Sequence, residues 1–126
     1  MNEEIIYLDN AASAPIRQEA IDSLISVLEN CYGNPSGAHK MARKARRLID
    51  DARDALSLGL GCDPKEIIFT GGGTEADNLA IFGVHGTRGG TIIASSTEHH
   101  AVLEPVQLLG GKLIRVSEDG SLDLGH

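Results

Sequence analysis

At 126 residues the chain is long enough for one modest domain or a piece of a larger one. Its apolar share of 41%, its 3% of aromatics and its lack of tryptophan describe a soluble globular protein with a light core. A formal charge of −7 excludes general nucleic-acid binding. No apolar run approaches the roughly 20 residues that cross a bilayer, so no membrane is expected. The acidic start, MNEEIIYLDN, lacks the basic-then-apolar pattern of a signal peptide. The expected setting is cytoplasmic. Cys31 and Cys62 provide neither a disulfide framework nor a metal-ligand spacing.

Taken in chain order, Ile5 to Leu8 reads as a short extended piece and Asn10 to Pro15 as a turn. Ala20, Ile21, Leu24, Ile25 and Leu28 form a helical stripe that stops before Tyr32-Gly33-Asn34-Pro35. A second helix is marked by Met41, Ala45, Leu48, Ile49, Ala52, Ala55 and Leu56; Gly59 and Gly61 end it. Asp63-Pro64 then turns the chain into a strand expected at 67–70. A third helix follows, then a strand at 91–94, a helix over 100–109 and a strand at 113–116. Pro105 fits that fourth helix only in a first turn or as a kink. Two helices followed by β-α-β-α-β predict an α/β fold with a largely parallel sheet. Three strands make a thin sheet, and the turn-like end, Ser117 to Leu124, reads as leading into another element. The expectation is a truncated domain.

The most informative segment is Phe69 to Asn78, FTGGGTEADN. A β-type run ends in three glycines, followed by Thr74 and a helical pattern. That order presents bare backbone N–H groups to an anion at a helix start. The glycines allow positive φ and close approach. Thr74 reads as the N-cap, with Asp77 completing an acidic capping box. Ala76, Leu79, Ala80, Gly83 and Val84 give the helix one apolar face. No Lys follows the glycines, so a small monophosphate near Gly73 and Thr74 suits the turn better than a nucleoside triphosphate. Alone, the segment leaves open a second reading, a glycine turn that merely joins strand to helix.

Glu98-His99-His100 follows the second strand, at the end where α/β proteins bind ligands. His99 is either a ring-stacking or proton-shuttling group, or a polar turn residue that caps a helix. Adjacent histidines diverge, so no metal site is expected there. Lys40, Arg43, Lys44, Arg46 and Arg47 read as the solvated face of the second helix, partly balanced by Asp50, Asp51 and Asp54. The two cysteines read as ordinary small residues.

YLDNAASAP at 7–15, YGNPSGAH at 32–39, FTGGGTEADNLAI at 69–81 and TEHHAVL at 97–103 together resemble the N-terminal third of class V pyridoxal-phosphate-dependent enzymes. The subgroup they resemble is the cysteine desulfurases. The resemblance implies the fold type I transferase large domain, with 1–15 as an N-terminal extended segment on the small-domain side and 16–126 as an incomplete cofactor-binding domain. It implies pyridoxal 5'-phosphate as cofactor, its phosphate held by the positions of Gly73 and Thr74. The position of His99 stacks on the pyridine ring and is an acid–base candidate. Asn10, Ala11, Asn34 and His39 lie on the substrate side. Ser13 stands where the family usually has Thr, and Gly71 where Ser is common.

The implied reaction converts L-cysteine to L-alanine and leaves the sulfur as an enzyme-bound persulfide for an acceptor protein, in a homodimer that serves iron–sulfur assembly or another sulfur route. It requires a Schiff-base Lys, an Asp paired with the pyridine nitrogen and a nucleophilic Cys. All three lie downstream of the matched segments. His39-Lys40 mimics the family's His-Lys pair, but Lys40 opens the basic helix and lacks the Gly-Pro context. Neither Cys31 nor Cys62 matches the nucleophile. The expectation is a chain inactive by itself. Alternatives are a selenocysteine lyase, another class V lyase or aminotransferase, or a non-catalytic, partner-binding remnant. In the family, strands supplied later in the chain separate the one matching 67–70 from the other two, which would leave it without ladder partners here.

Overall fold

The computed structural model describes residues 5–123 and 125, in two compact units, Met1–Ile67 and Ile68–His126. The first unit holds α1 (Gln18–Asn30) and α2 (Lys40–Leu60), then a short 3-10 turn, Pro64–Glu66. His39 caps α2: its Nδ1 accepts the Ala42 N–H at 3.3 Å. Gly61 ends it in the left-handed region at φ 70°, its N–H donating to the Ser57 carbonyl. A side chain there would be strained, which is why helices so often close on glycine. Asp63 and Glu66 then form a capping box around the 3-10 turn, with the Asp63 N–H on Glu66 Oε2 at 2.8 Å.

The basic residues of α2 are more than a solvated face. Lys44 Nζ donates to the Asn30 carbonyl at 3.2 Å, Arg46 Nε to the Pro35 carbonyl at 3.0 Å, and Arg43 to the Ala38 carbonyl. Two of these cations thus latch the loop between the helices onto α2, and Lys44 ties the end of α1 to it. Asp50 is engaged by Arg53 at 3.3 Å. Cys31, Ala42, Ala45 and Ser57 are the buried side chains of this unit. The expected stripe on α1 is otherwise placed: Leu24, Ile25 and Leu28 are exposed, and no α1 residue is fully buried.

The second unit runs α3 (Gly73–Arg88), β1 (Ile93–Ser95), α4 (His100–Leu108) and β2 (Lys112–Ile114). The strands pair in parallel, Ile93 with Lys112, Ala94 with Leu113 and Ser95 with Ile114. A parallel pair needs a crossover connection, and α4 is that crossover. Ala101, Pro105 and Val106, the buried face of α4, form the small core. Both strands were expected within two residues of where they lie. The strand expected at 67–70 does not form: these residues lie outside helix and strand. The α/β order with a parallel sheet therefore holds, with two strands among the described residues rather than three. The apolar face expected on α3 is also corrected. Leu79 and Val84 are exposed, whereas Asp77, Asn78, Ile81 and His85 are the half-buried positions.

Chain return from α4 to β2 passes through a point with no spare room. The Gly111 N–H donates to the Val106 carbonyl at 2.8 Å and the next N–H, of Lys112, to the Ile92 carbonyl at 2.8 Å. A Cβ on Gly111 would stand 2.6 Å from Val106 Cγ1, 2.9 Å from the Val106 oxygen and 3.0 Å from the Ile92 oxygen. Two of those atoms are backbone and cannot swing aside. Gly111→Ala is therefore expected to cost about 1–3 kcal/mol through overpacking, read as a lower urea midpoint for the second unit. After β2 a hairpin pairs Val116 with Leu122. At its tip the Ser121 hydroxyl and N–H both donate to Asp119 Oδ1, holding the Asp119 carboxyl below its ordinary range. A depressed carboxylate stabilises the fold above the unfolded value, and that contribution is lost as pH falls through the folded one. Ser121→Ala is expected to return Asp119 toward the ordinary value in an NMR pH titration.

Candidate functional site

An open cleft of about 740 Å³ lies at the starts of α3 and α4. Gly71, Gly72, Gly73, Thr74 and Glu75 line one side, His99, His100, Ala101 and Glu104 the other, and Asn78 stands between. The predicted cofactor-side residues Gly73, Thr74 and His99 are thus brought together. The other predicted positions belong to the first unit. Asn10 and Ala11 sit in a turn in which the Ala12 and Ser13 N–H groups donate to the Asp9 carbonyl. Asn34 Oδ1 accepts the Ser36 N–H at 2.9 Å, and His39 is the cap of α2.

The start of α3 differs from expectation in a way that matters. Its N-cap is Gly72, not Thr74, and no side chain caps it. Thr74 is the second helical residue, so the Thr74–Asp77 capping box does not form. None of Gly71, Gly72 and Gly73 lies in the left-handed region; Gly72, at φ 164°, is simply extended. The first N–H groups of a helix have no partner within it, so those of Gly73, Thr74 and Glu75 are left for something else. A Cβ on Gly72 or Gly73 would meet no protein atom within 4 Å. Neither backbone conformation nor protein packing demands glycine at these two positions. What a side chain there would fill is the cleft itself.

His99 performs the helix-capping role weighed for it: its Nδ1 accepts the Ala101 N–H at 3.1 Å. That bond fixes the neutral tautomer with its proton on Nε2, and leaves Nε2 as the group able to meet a ligand. The His100 ring stands 6.3 Å away, inclined at 69°, edge-on to that of His99. Among the described residues no group of three or more His, Cys, Asp or Glu side chains could hold a metal ion. Cys31 is buried and Cys62 half-buried, both as free thiols.

Asn78 is the cleft residue that sequence reasoning missed. Its Nδ2 donates to the Thr74 carbonyl at 2.8 Å and to the Ala101 carbonyl at 3.2 Å, joining the first turns of α3 and α4. The signal was Pro105. A proline has no N–H, so the carbonyl four residues earlier, that of Ala101, loses its helical donor. Ala101 is only 7% exposed, and a buried carbonyl needs a partner. Asn78 provides it. Asn78→Ala is expected to cost about 1–3 kcal/mol, the penalty of a buried acceptor left unmade. In a Pro105→Ala background, where the helix can supply its own donor, the loss should shrink, and chemical denaturation of the four proteins measures the coupling. His99→Ala should cost about 1 kcal/mol for the lost cap, with most of it recovered in His99→Asn.

The chain belongs to the class V aminotransferase family: the sequence model of that family, "Aminotransferase class-V", matches residues 6–126. Within that family it is similar to cysteine desulfurases. It is 45% identical over 107 residues to the cysteine desulfurase IscS of Dictyoglomus turgidum, a match covering 82% of this chain and 27% of the relative. It is 43% identical over 111 residues to the putative cysteine desulfurase IscS 1 of Bacillus subtilis, covering 86% of this chain and 29% of the relative. Among solved structures, the apo cysteine desulfurase of Thermococcus onnurineus superposes with a TM-score of 0.80 at 28% identity, over 96% of this chain and 32% of that one. A structure described as SspA in complex with cysteine superposes at 0.74 with 36% identity, over 83% of this chain and 32% of that one. The chain thus spans under a third of the length of these relatives, and matches their N-terminal portion. Among the described residues no helix is long and apolar enough to cross a membrane.

Proposed function

We propose that this chain supplies the phosphate-holding part of a pyridoxal-phosphate-dependent cysteine desulfurase. The observation that carries the reading is the cleft itself: an uncapped helix start, two glycines that the fold does not require, and a histidine fixed with its Nε2 free all meet there. The residues present fit the cofactor. The N–H groups of Gly73 and Thr74 and the Thr74 hydroxyl would hold its phosphate, helped by the partial positive charge of the α3 start. His99 would lie against the pyridine ring with its Nε2–H able to donate to the ligand; to act as the acid–base group it would first release the Ala101 N–H, so that Nδ1 can carry the ring proton. The cofactor, when bound, supplies an electron sink for carbanion chemistry.

Asn10, Ala11, Asn34 and His39 are assigned to the substrate side. Residues 1–15 belong to the small-domain side and 16–126 to an incomplete cofactor-binding domain. The Schiff-base Lys and the nucleophilic Cys belong to the portion of the relatives that this chain does not span. The complete enzyme would take L-cysteine, pass its sulfur to an acceptor protein and work as a cytoplasmic homodimer.

Two measurements test this. The chain should bind pyridoxal phosphate, seen as a shift of the phosphorus NMR resonance. Thr74→Ala should weaken that binding roughly 10- to 100-fold, the loss of one hydrogen bond to a charged group. Joined to a second polypeptide carrying the remaining part of the Bacillus subtilis relative, the chain should release alanine from L-cysteine. A stable pair that binds the cofactor yet releases no alanine would sink the desulfurase reading.

A further inference from the structure

The glycine turn is held from inside by a side chain that the proposed chemistry does not use. Glu75 is the third residue of α3, and its Oε2 accepts the Gly71 N–H at 2.6 Å. In a capping box the third helical residue reaches back to the N-cap N–H. Here it reaches one residue beyond the Gly72 cap and closes a ring around the turn. A Cβ on Gly71 would lie 3.1 Å from that same oxygen, tighter than ordinary contact. Gly71 is therefore a seat for the carboxylate, a different role from that of Gly72 and Gly73, where a Cβ would touch nothing. Glu75 also lines the cleft, so its charge stands beside the place an anion would occupy.

We infer that Glu75 is the positioning residue of this cradle. Its carboxylate, seated on Gly71, sets the turn so that the N–H groups of Gly73 and Thr74 are presented together, and its negative charge moderates how tightly a phosphate is held. The inference rests on the phosphate reading of the cleft. Shape and charge separate by substitution. Glu75→Gln keeps an acceptor for the Gly71 N–H and removes the charge. Glu75→Ala removes both. Gly71→Ala keeps the charge and crowds the seat.

The test is phosphorus NMR titration of the chain and its three variants with inorganic phosphate and with pyridoxal phosphate, at one fixed salt concentration. Alongside it, the ligand-free Gly71 amide is followed by proton–nitrogen NMR and hydrogen exchange. Glu75→Gln should leave that amide protected and bind both ligands roughly two- to fivefold tighter, the size of one charge at a helix start. Glu75→Ala should move and deprotect the Gly71 amide and bind more weakly than Glu75→Gln. In Gly71→Ala, binding should fall below that of the unaltered chain.

A Gly71 amide indifferent to Glu75→Ala overturns the inference whatever the phosphate does. So does equal affinity in Glu75→Ala and Glu75→Gln. If the amide responds but no protein binds either ligand, the phosphate reading fails and takes this inference with it. That outcome is recognisable because Glu75 is then still seen to hold the turn. A loss of binding with circular dichroism unchanged in Glu75→Ala separates positioning from simple unfolding.

Discussion

The backbone of one buried alanine organises the second unit. Ala101 has its N–H bound by His99 Nδ1 and its carbonyl bound by Asn78 Nδ2. Neither group has a partner within the helix. The N–H is among those that every helix start leaves open, and the carbonyl is open because Pro105 lacks the donor. Two ordinary deficits of helix geometry are thus repaired by side chains from two different places. Repairing them fixes where α4 begins relative to α3. Because Asn78 also holds the Thr74 carbonyl, the glycine turn and the histidine pair face the same space.

That placement aims the starts of two helices at one cleft. Each start has a partial positive charge from its aligned peptide dipoles. The side chains opposing that field are Glu75 and Glu104, both at the rim of the same space. On the proposed reading, a phosphate entering there would exchange water for backbone N–H groups that are already oriented, so little would be lost to reorganisation. His99 joins this arrangement with one nitrogen occupied, which removes the ambiguity of tautomer that a free imidazole would have.

Helix positions were legible in the sequence because apolar spacing and glycine stops are local signals. The α2 boundary at Gly61 and the crossover from β1 through α4 to β2 follow from such signals. Burial was not legible in the same way. Leu79 and Val84 of α3, like Leu24 and Leu28 of α1, have helical spacing yet remain exposed, since periodicity records a face and not its cover. The composition of 67–70 argues for a strand, but a strand needs a ladder partner that composition does not reveal, and among the described residues the sheet consists of β1 and β2. Thr74 was misplaced as a cap because a glycine N-cap leaves no side-chain signature, and the helix begins two residues earlier than its first polar candidate suggests. Asn78 was hidden for a different reason: its role depends on a proline far along the chain. The basic residues of α2 looked solvated because nothing in their spacing reveals the carbonyls of 30–38 that they grip.

Every residue lining the cleft falls between Gly71 and Glu104, and the longest hydrogen bond that shapes it, Asn78 to Ala101, closes a separation of 23 residues. Closing a flexible loop of that length costs about 3 kcal/mol beyond a constant term, roughly 2 kcal/mol less than a contact across about 200 residues. Short sequence separations also favour rapid formation. The cleft can therefore assemble early as the polypeptide emerges from the ribosome, using only contacts already synthesised. The groups that complete the chemistry in the relatives would then arrive at a pocket whose walls already stand.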